Sequence, residues 1–248
     1  VSGQLARSFP DFLIANANRR WFPREIVGMD PWERIHSRHD TDGVYHQFGM
    51  SDESDPIAQS ESAYRTMVMP LLRYQPVAAI AFIVDLTNRI TDNYVALNHE
   101  HRNELVYGIT LPDGTSKEVM GAQGFFSAFR HSTGFPNVVG SVLMALERYL
   151  LDLGETNESL FRATLEELYT KSHSLLITGV LSSVCQAHPK AAGEWVLPLL
   201  TQKHFYYLDV GRYTNDLLDP SFYISDDIYQ RERSDANKRP HRTRYRPG

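Results

Sequence analysis

Cysteine is almost absent from this sequence. Cys185 is the single thiol in 248 residues, so no intrachain disulfide can form and the fold does not depend on an oxidising compartment. Long apolar runs are missing as well. The most hydrophobic stretch, Pro76 to Val84, is bracketed by Arg73 and Asp85 and falls well short of the roughly 20 residues that a membrane-spanning helix needs. Val1 to Arg7 carries no apolar core of the kind found in a secretion signal. Excess charge is also small: a net charge of −5 favours solubility and argues against whole-surface binding to nucleic acid or anionic membrane. No glycine-rich phosphate loop and no dinucleotide fingerprint occurs, and Lys117 follows Ser116 in a hairpin rather than a glycine-rich turn before a helix. These absences predict a cytoplasmic chain with no cofactor of its own, no membrane partner and no enzymatic activity when alone. The unusual first residue, Val1, suggests a fragment, a processed product or an alternative start.

What is present is enough for a core. The hydrophobic fraction is 42%, and the length suits one large domain or two small ones. The expected fold class is mainly α: an irregular, solenoid-like array of antiparallel helix pairs with one small β-hairpin insertion. Residues 1–60 are expected to form an irregular segment packed on the helices or on a missing domain. Pro10, Pro23, Pro31 and Pro56 punctuate it, and Ser8 and Pro10 mark the start of a short helix carrying Phe12, Leu13 and Ile14. Residues 61–225 are the expected helical domain. Its helices are predicted over Glu61 to Leu72 (broken by Pro70), Pro76 to Leu97, Asn137 to Leu153 (stopped by Gly154), Glu158 to Thr170, Ser174 to His188, Lys190 to Leu200 (kinked near Pro198) and Lys203 to Asp216. Between them, Leu105, Tyr107, Ile109 and Leu111 alternate as a half-buried strand does. Pro112-Asp113-Gly114 supplies a turn, and Val119 lies on the return strand. Residues 226–248 form a basic tail with too few apolar residues to pack, expected to be disordered.

Several side-chain groupings invite chemistry. His36, His39, Asp40 and His46 form the candidate metal set, because neutral imidazoles and a carboxylate at this spacing suit zinc or iron. A polar surface loop is the preferred reading, so no metal is expected. His99 and His101 point to nearly opposite sides if helical and cannot then share an ion, whereas on a strand they could. Cys185 and His188 are three apart on a helix, where a thiolate–imidazolium pair is the functional alternative and a small buried hydrophobe the preferred one. Ser172-His173-Ser174 has no acid nearby in sequence and reads as a helix-cap region. The adjacent pairs Glu166-Glu167 and Asp226-Asp227 read as solvated charge. Phe125, Phe126 and Phe129 beside Arg130 are better explained by core packing than by a stacking platform. The arginines from Arg231 onward leave nucleic acid as a partner only through the basic tail.

Three stretches taken in order carry a resemblance. They are Pro70-Leu71-Leu72-Arg73-Tyr74-Gln75-Pro76 running into Ala81 to Asn88; Pro136 followed by Ser141 to Leu150; and Ser172 to Pro189, with Ser174, Thr178, Val180, Ser182, Ser183 and His188-Pro189, then Phe205 and Asp209 to Arg212. Together they resemble the helical region that follows the ATPase module in very large bacterial NTPases of the STAND type, some of which act in antiviral defence as the AVAST systems do. The likeness covers roughly residues 60–215, and its motifs are mostly structural. It implies that the intact protein couples recognition of a phage component to nucleotide-driven oligomerisation and an effector activity. The nucleotide-binding motifs are absent from this chain, so no catalytic residue carries over. The resulting expectation is a non-catalytic helical scaffold or sensor segment whose partners are other domains of a larger protein, or other proteins. The alternatives are a metal-dependent hydrolase built on His36, His39, Asp40 and His46, and a nucleic-acid-binding accessory module.

Overall fold

The computed structural model describes residues 2–22, 45–51, 61–129 and 134–217. These residues are mainly helical, with one two-stranded antiparallel sheet among them. The helices are α1 (Ser2–Ser8), α2 (Pro10–Trp21), α3 (Val68–Tyr74), α4 (Pro76–Leu97), α5 (Asn137–Thr156), α6 (Glu158–Lys171), α7 (Leu175–Ala187), α8 (Pro189–Ala192), α9 (Leu197–Leu200) and α10 (Lys203–Leu217). The strands are β1 (Val106–Thr110) and β2 (Ser116–Met120). A single hydrophobic cluster runs from Ala6 through to Leu208.

Helix α4 starts at Pro76, whose missing N–H costs nothing at the first helical position. Ile80, Ile83, Leu86 and Ile90 are buried along it, while Val77, Ala81 and Asp85 form an outward row one turn apart. Thr87 sits in the core because its hydroxyl donates back to the Ile83 carbonyl at 2.8 Å. Helix α5 lies against α3, α6 and α7, and its face of Val142, Leu143, Leu146 and Leu150 is fully buried.

The helix expected over Glu61 to Leu72 is shorter: only Val68 onward is helical. The hydroxyls of Ser62 and Thr66 accept from the amides of Tyr64 and Val68, an alternative to helical bonding. Pro70 therefore lies in a first turn, where it is tolerated, and breaks nothing. Ser8 closes α1 rather than capping α2, whose cap position is Phe9.

Gly154 does not stop α5, which continues to Thr156. A Cβ at Gly154 would fall 2.5 Å from the His188 ring, so this glycine permits a close approach instead of ending a helix. The stretch from Lys190 to Leu200 is broken at Gly193, which has φ 60°, and not at Pro198, which sits in the first turn of α9.

The hairpin forms as the alternation predicts, with Tyr107 opposite Val119 and Ile109 opposite Lys117. Gly114, at φ 85°, closes the turn, and the Asp113 carboxylate accepts from the Thr115 amide at 2.8 Å. Phe125, Phe126 and Phe129 all turn inward and are buried.

Candidate functional site

A dense cluster of polar contacts lies where α4, β2 and the link between α6 and α7 meet. Helix α4 contributes Asn88, Thr91 and Asp92, three and four positions apart and hence on one face. The Asn88 carbonyl oxygen accepts from the Ser172 hydroxyl at 3.2 Å and the His173 amide at 3.0 Å, while its amide nitrogen donates to the Lys171 carbonyl. Thr91 and Ser174 share a hydroxyl–hydroxyl bond of 2.7 Å, and both residues are wholly buried. The Ser174 hydroxyl also accepts from the Leu176 amide and so caps α7.

From β2, the Lys117 ammonium donates to the carbonyls of Tyr169, Thr170 and Ser172, at 2.7, 3.2 and 2.7 Å. These are end-of-helix carbonyls, which a cation satisfies well. Burial pulls the Lys117 pKa below its ordinary value. Strand β2 is also tied in through its backbone, since the Met120 amide donates to the His173 carbonyl at 2.7 Å.

His173 and Asp92 meet here at 2.8 Å, although they are 81 residues apart in sequence. A serine, a histidine and an aspartate thus share one corner, the ingredients of a hydrolytic triad. The geometry does not assemble one. The Ser172 hydroxyl is engaged by Asn88 and the Ser174 amide, and the Ser174 hydroxyl by Thr91 and the Leu176 amide. A triad needs the hydroxyl on the imidazole and open to a substrate, whereas Ser174 is sealed in the core. The cluster acts as a clasp joining three elements. Replacing Ser174 by alanine removes a helix cap and strands the buried Thr91 hydroxyl. An expected loss of about 2 kcal/mol follows, read from the urea midpoint; an unchanged midpoint would show that the clasp carries no stability.

Two further polar contacts, one buried and one half-buried, pin the helices. Ser183 donates to the Glu147 carboxylate at 2.6 Å, joining α7 to α5. Asp209 of α10 holds Arg212 at 2.8 Å and accepts from Gln186 at 3.1 Å, fixing α10 onto α7.

Cys185 is buried beside Tyr169 and Trp195. Burial pushes its thiol up to about 12, only partly offset by the Tyr169 hydroxyl. A protonated, enclosed thiol is a poor nucleophile, which agrees with the preferred reading of Cys185 as a small core residue. Tyr169 is likewise raised by burial, well above its ordinary value. Both groups hold their protons more tightly folded than unfolded. Their contribution is therefore complete below pH of about 8.5 and fades as pH climbs towards 12. The contribution of these two groups should be flat near neutrality and fall on the alkaline side, by at most about 1.4 kcal/mol per pH unit per group. Cys185→Ala should flatten that fall. A thiol reagent should label Cys185 only in denaturant; rapid labelling of the native chain would refute the enclosure.

Of the candidate metal set, His36, His39 and Asp40 lie outside the described residues. His46 opens a short 3₁₀ turn, His46–Phe48, and is 4% exposed. Among the described residues, no group of three or more His, Cys, Asp or Glu side chains is arranged to hold a metal ion. His99 and His101 sit on an exposed 3₁₀ turn, where His101 faces Glu104 at 3.5 Å. Glu167 pairs with Lys171 one turn on, at 2.7 Å. Arg130, Asp226, Asp227 and the basic tail from Arg231 lie outside the described residues. Among the described residues, no helix is long and apolar enough to cross a membrane.

Sequence reasoning missed Asn88, Thr91 and Asp92 as partners of the Ser172–Ser174 link. Their signal was weak: three polar residues three and four apart, in the half of α4 that also carries Thr87, Arg89 and Asn93. Compared with known proteins, the chain matches no family model and no curated sequence.

Proposed function

We infer that the chain is a non-catalytic helical scaffold or sensor segment of a larger bacterial NTPase used in antiviral defence. One observation carries the non-catalytic part: the reactive side chains of the polar cluster and of the core are engaged in joining elements or enclosed. Lys117 closes the end of α6, Ser174 caps α7, His173 pairs with Asp92, and Cys185 is enclosed. The fold suits a scaffold, because packed helices transmit rigid-body shifts between the surfaces they expose. The NTPase part rests on the resemblance of the three stretches from Pro70, from Pro136 and from Ser172.

The test is to sequence the open reading frame that contains this chain and to measure nucleotide binding by calorimetry. A phosphate-binding loop is expected on the N-terminal side, with ATP bound by the product spanning both regions and not by this chain alone. A reading frame without such a loop, or stoichiometric ATP binding by this chain unaided, overturns the reading.

A further inference from the structure

Helix α10 begins against the hairpin, and a histidine makes the contact. His204, the second residue of α10, lays its ring beside Tyr107 of β1, with centroids 5.2 Å apart. The Phe205 ring meets it edge-on at 4.3 Å. The His204 Nε2 is enclosed and has no hydrogen-bond partner among the described residues. A neutral imidazole can leave its acceptor nitrogen in such a place at modest cost. An imidazolium carries a donor on both nitrogens and loses hydration that nothing replaces. Phe205 in turn stacks on Phe126 at 6.0 Å, and both rings are buried, so whatever loosens His204 pulls on the core.

Among the described residues, the charges around this ring offer an imidazolium no partner. The Gln123–Ser127 turn and α9, which pack on α10, carry no charged residue, and neither does β1. Nor does α7, whose Gln186 and Ser182 are reached by Asp209. Before β1, Glu104 is exposed and faces His101. On β2, Lys117 is engaged by the carbonyls of Tyr169 and Ser172. Glu118 is exposed opposite Gly108, on the strand face turned away from Tyr107. The Tyr107 hydroxyl stays neutral, since burial raises its pKa. On α10 itself, Lys203 adds a positive charge next door, and Asp209 and Arg212 hold each other. The first turn of a helix is also its positive pole, where a cation is disfavoured. Burial accordingly holds the His204 pKa below its ordinary value of 6.5.

We propose that His204 is a proton-operated latch on α10: uncharged, it seats the start of the helix against β1, and protonated, it unseats it. Release takes up a proton, because the ring is neutral when docked and titrates freely when released. Docking is therefore complete above the ordinary value of 6.5 and weakens as pH falls below it. The docked-to-released ratio drops by up to about tenfold per pH unit. The signal is mild acidity, and the response is confined to α10 and the Phe126–Phe205 stack beneath it. The inference goes beyond the scaffold reading and does not depend on it.

The experiment follows amide exchange of the whole chain by mass spectrometry at about pH 7.5 and about pH 5.5, each rate divided by the intrinsic rate of an unfolded chain at that pH. Protection of Lys203 to Arg212 is expected to fall by about fivefold or more between the two, while that of α5 holds. His204→Phe and His204→Gln cannot titrate, and each should keep α10 protected at the lower pH. Melting temperatures at the upper pH show which of them fold, and one that folds is enough. His99→Gln, at an exposed histidine, should respond as wild type does. Proton NMR of the His204 ring adds a direct reading: a titration midpoint at or above 6.5 overturns the proposal. So does protection of α10 that ignores pH, that falls only in step with α5, or that still falls selectively in the His204 variants. A response lost in His99→Gln overturns it too.

Discussion

Replacing Phe125 by alanine should lower the free energy of unfolding by about 3–5 kcal/mol, the range for removing a fully buried aromatic ring. Phe125 is the hub of an aromatic cluster. Its ring meets Phe48 at 5.9 Å, Tyr94 at 5.0 Å and Phe135 at 5.1 Å, all edge-on. Phe48 and Phe135 also stack on one another at 5.1 Å. These rings come from the His46–Phe48 turn, from α4, from the Gln123–Ser127 turn and from the chain just before α5, so one side chain joins four separate stretches. The surrounding rings are rigid and cannot collapse into the space left behind, which places the cost high in its range. Edge-to-face pairs add to the area term. Urea denaturation followed by circular dichroism gives the answer. A loss below about 1.5 kcal/mol would mean that the cluster relaxes freely. Phe125→Leu, which keeps much of the volume, should cost less than half as much.

Gly179→Ala should destabilise by about 3 kcal/mol, although alanine is the better helix former by about 1 kcal/mol. Gly179 lies in the middle of α7, where the chain of the Gln123–Ser127 turn crosses it. A Cβ there would overlap the Phe126 carbonyl oxygen. Backbone cannot swing aside as a side-chain tip does, so α7 or the turn must move. That movement would disturb Phe126, which stacks on Phe205 of α10 at 6.0 Å. The control is Gly108→Ala in β1, where an added methyl meets nothing within 4 Å and stability should change by less than about 0.5 kcal/mol. Thermal melts of both variants decide it: equal melting temperatures would show that the crossing is loose.

The parts of this fold legible in the sequence are those set by neighbouring residues. The spacing of Ile80, Ile83 and Ile90 shows α4, the run from Val139 to Leu153 shows α5, and Phe161, Leu165 and Leu168 on one face show α6. Alternation from Leu105 to Leu111 and the Pro112-Asp113-Gly114 turn are enough for the hairpin. Most of what escaped depends on contacts between distant residues. Gly154 looks like a stop signal until His188 is seen packed against it. Gly179 looks like a flaw in a helix until the Phe126 carbonyl is found above it. Pro198 looks like a kink, but the left-handed conformation at Gly193 had already broken the run. His173 has no acid near it in the chain, because Asp92 arrives from another helix. The candidate site shares that limit: its cap was legible from Ser174, its clasp was not.

The grip of Lys117 on three carbonyls has a dynamic consequence. A two-stranded ribbon left to itself is barely stable in water and would flap and exchange its amide protons quickly. Here the ribbon is plugged into the end of α6 and bonded to the link that starts α7, so it opens only when those helices come apart. Its slowest amides should therefore exchange in step with those of α7, as one cooperative unit rather than as an appendage.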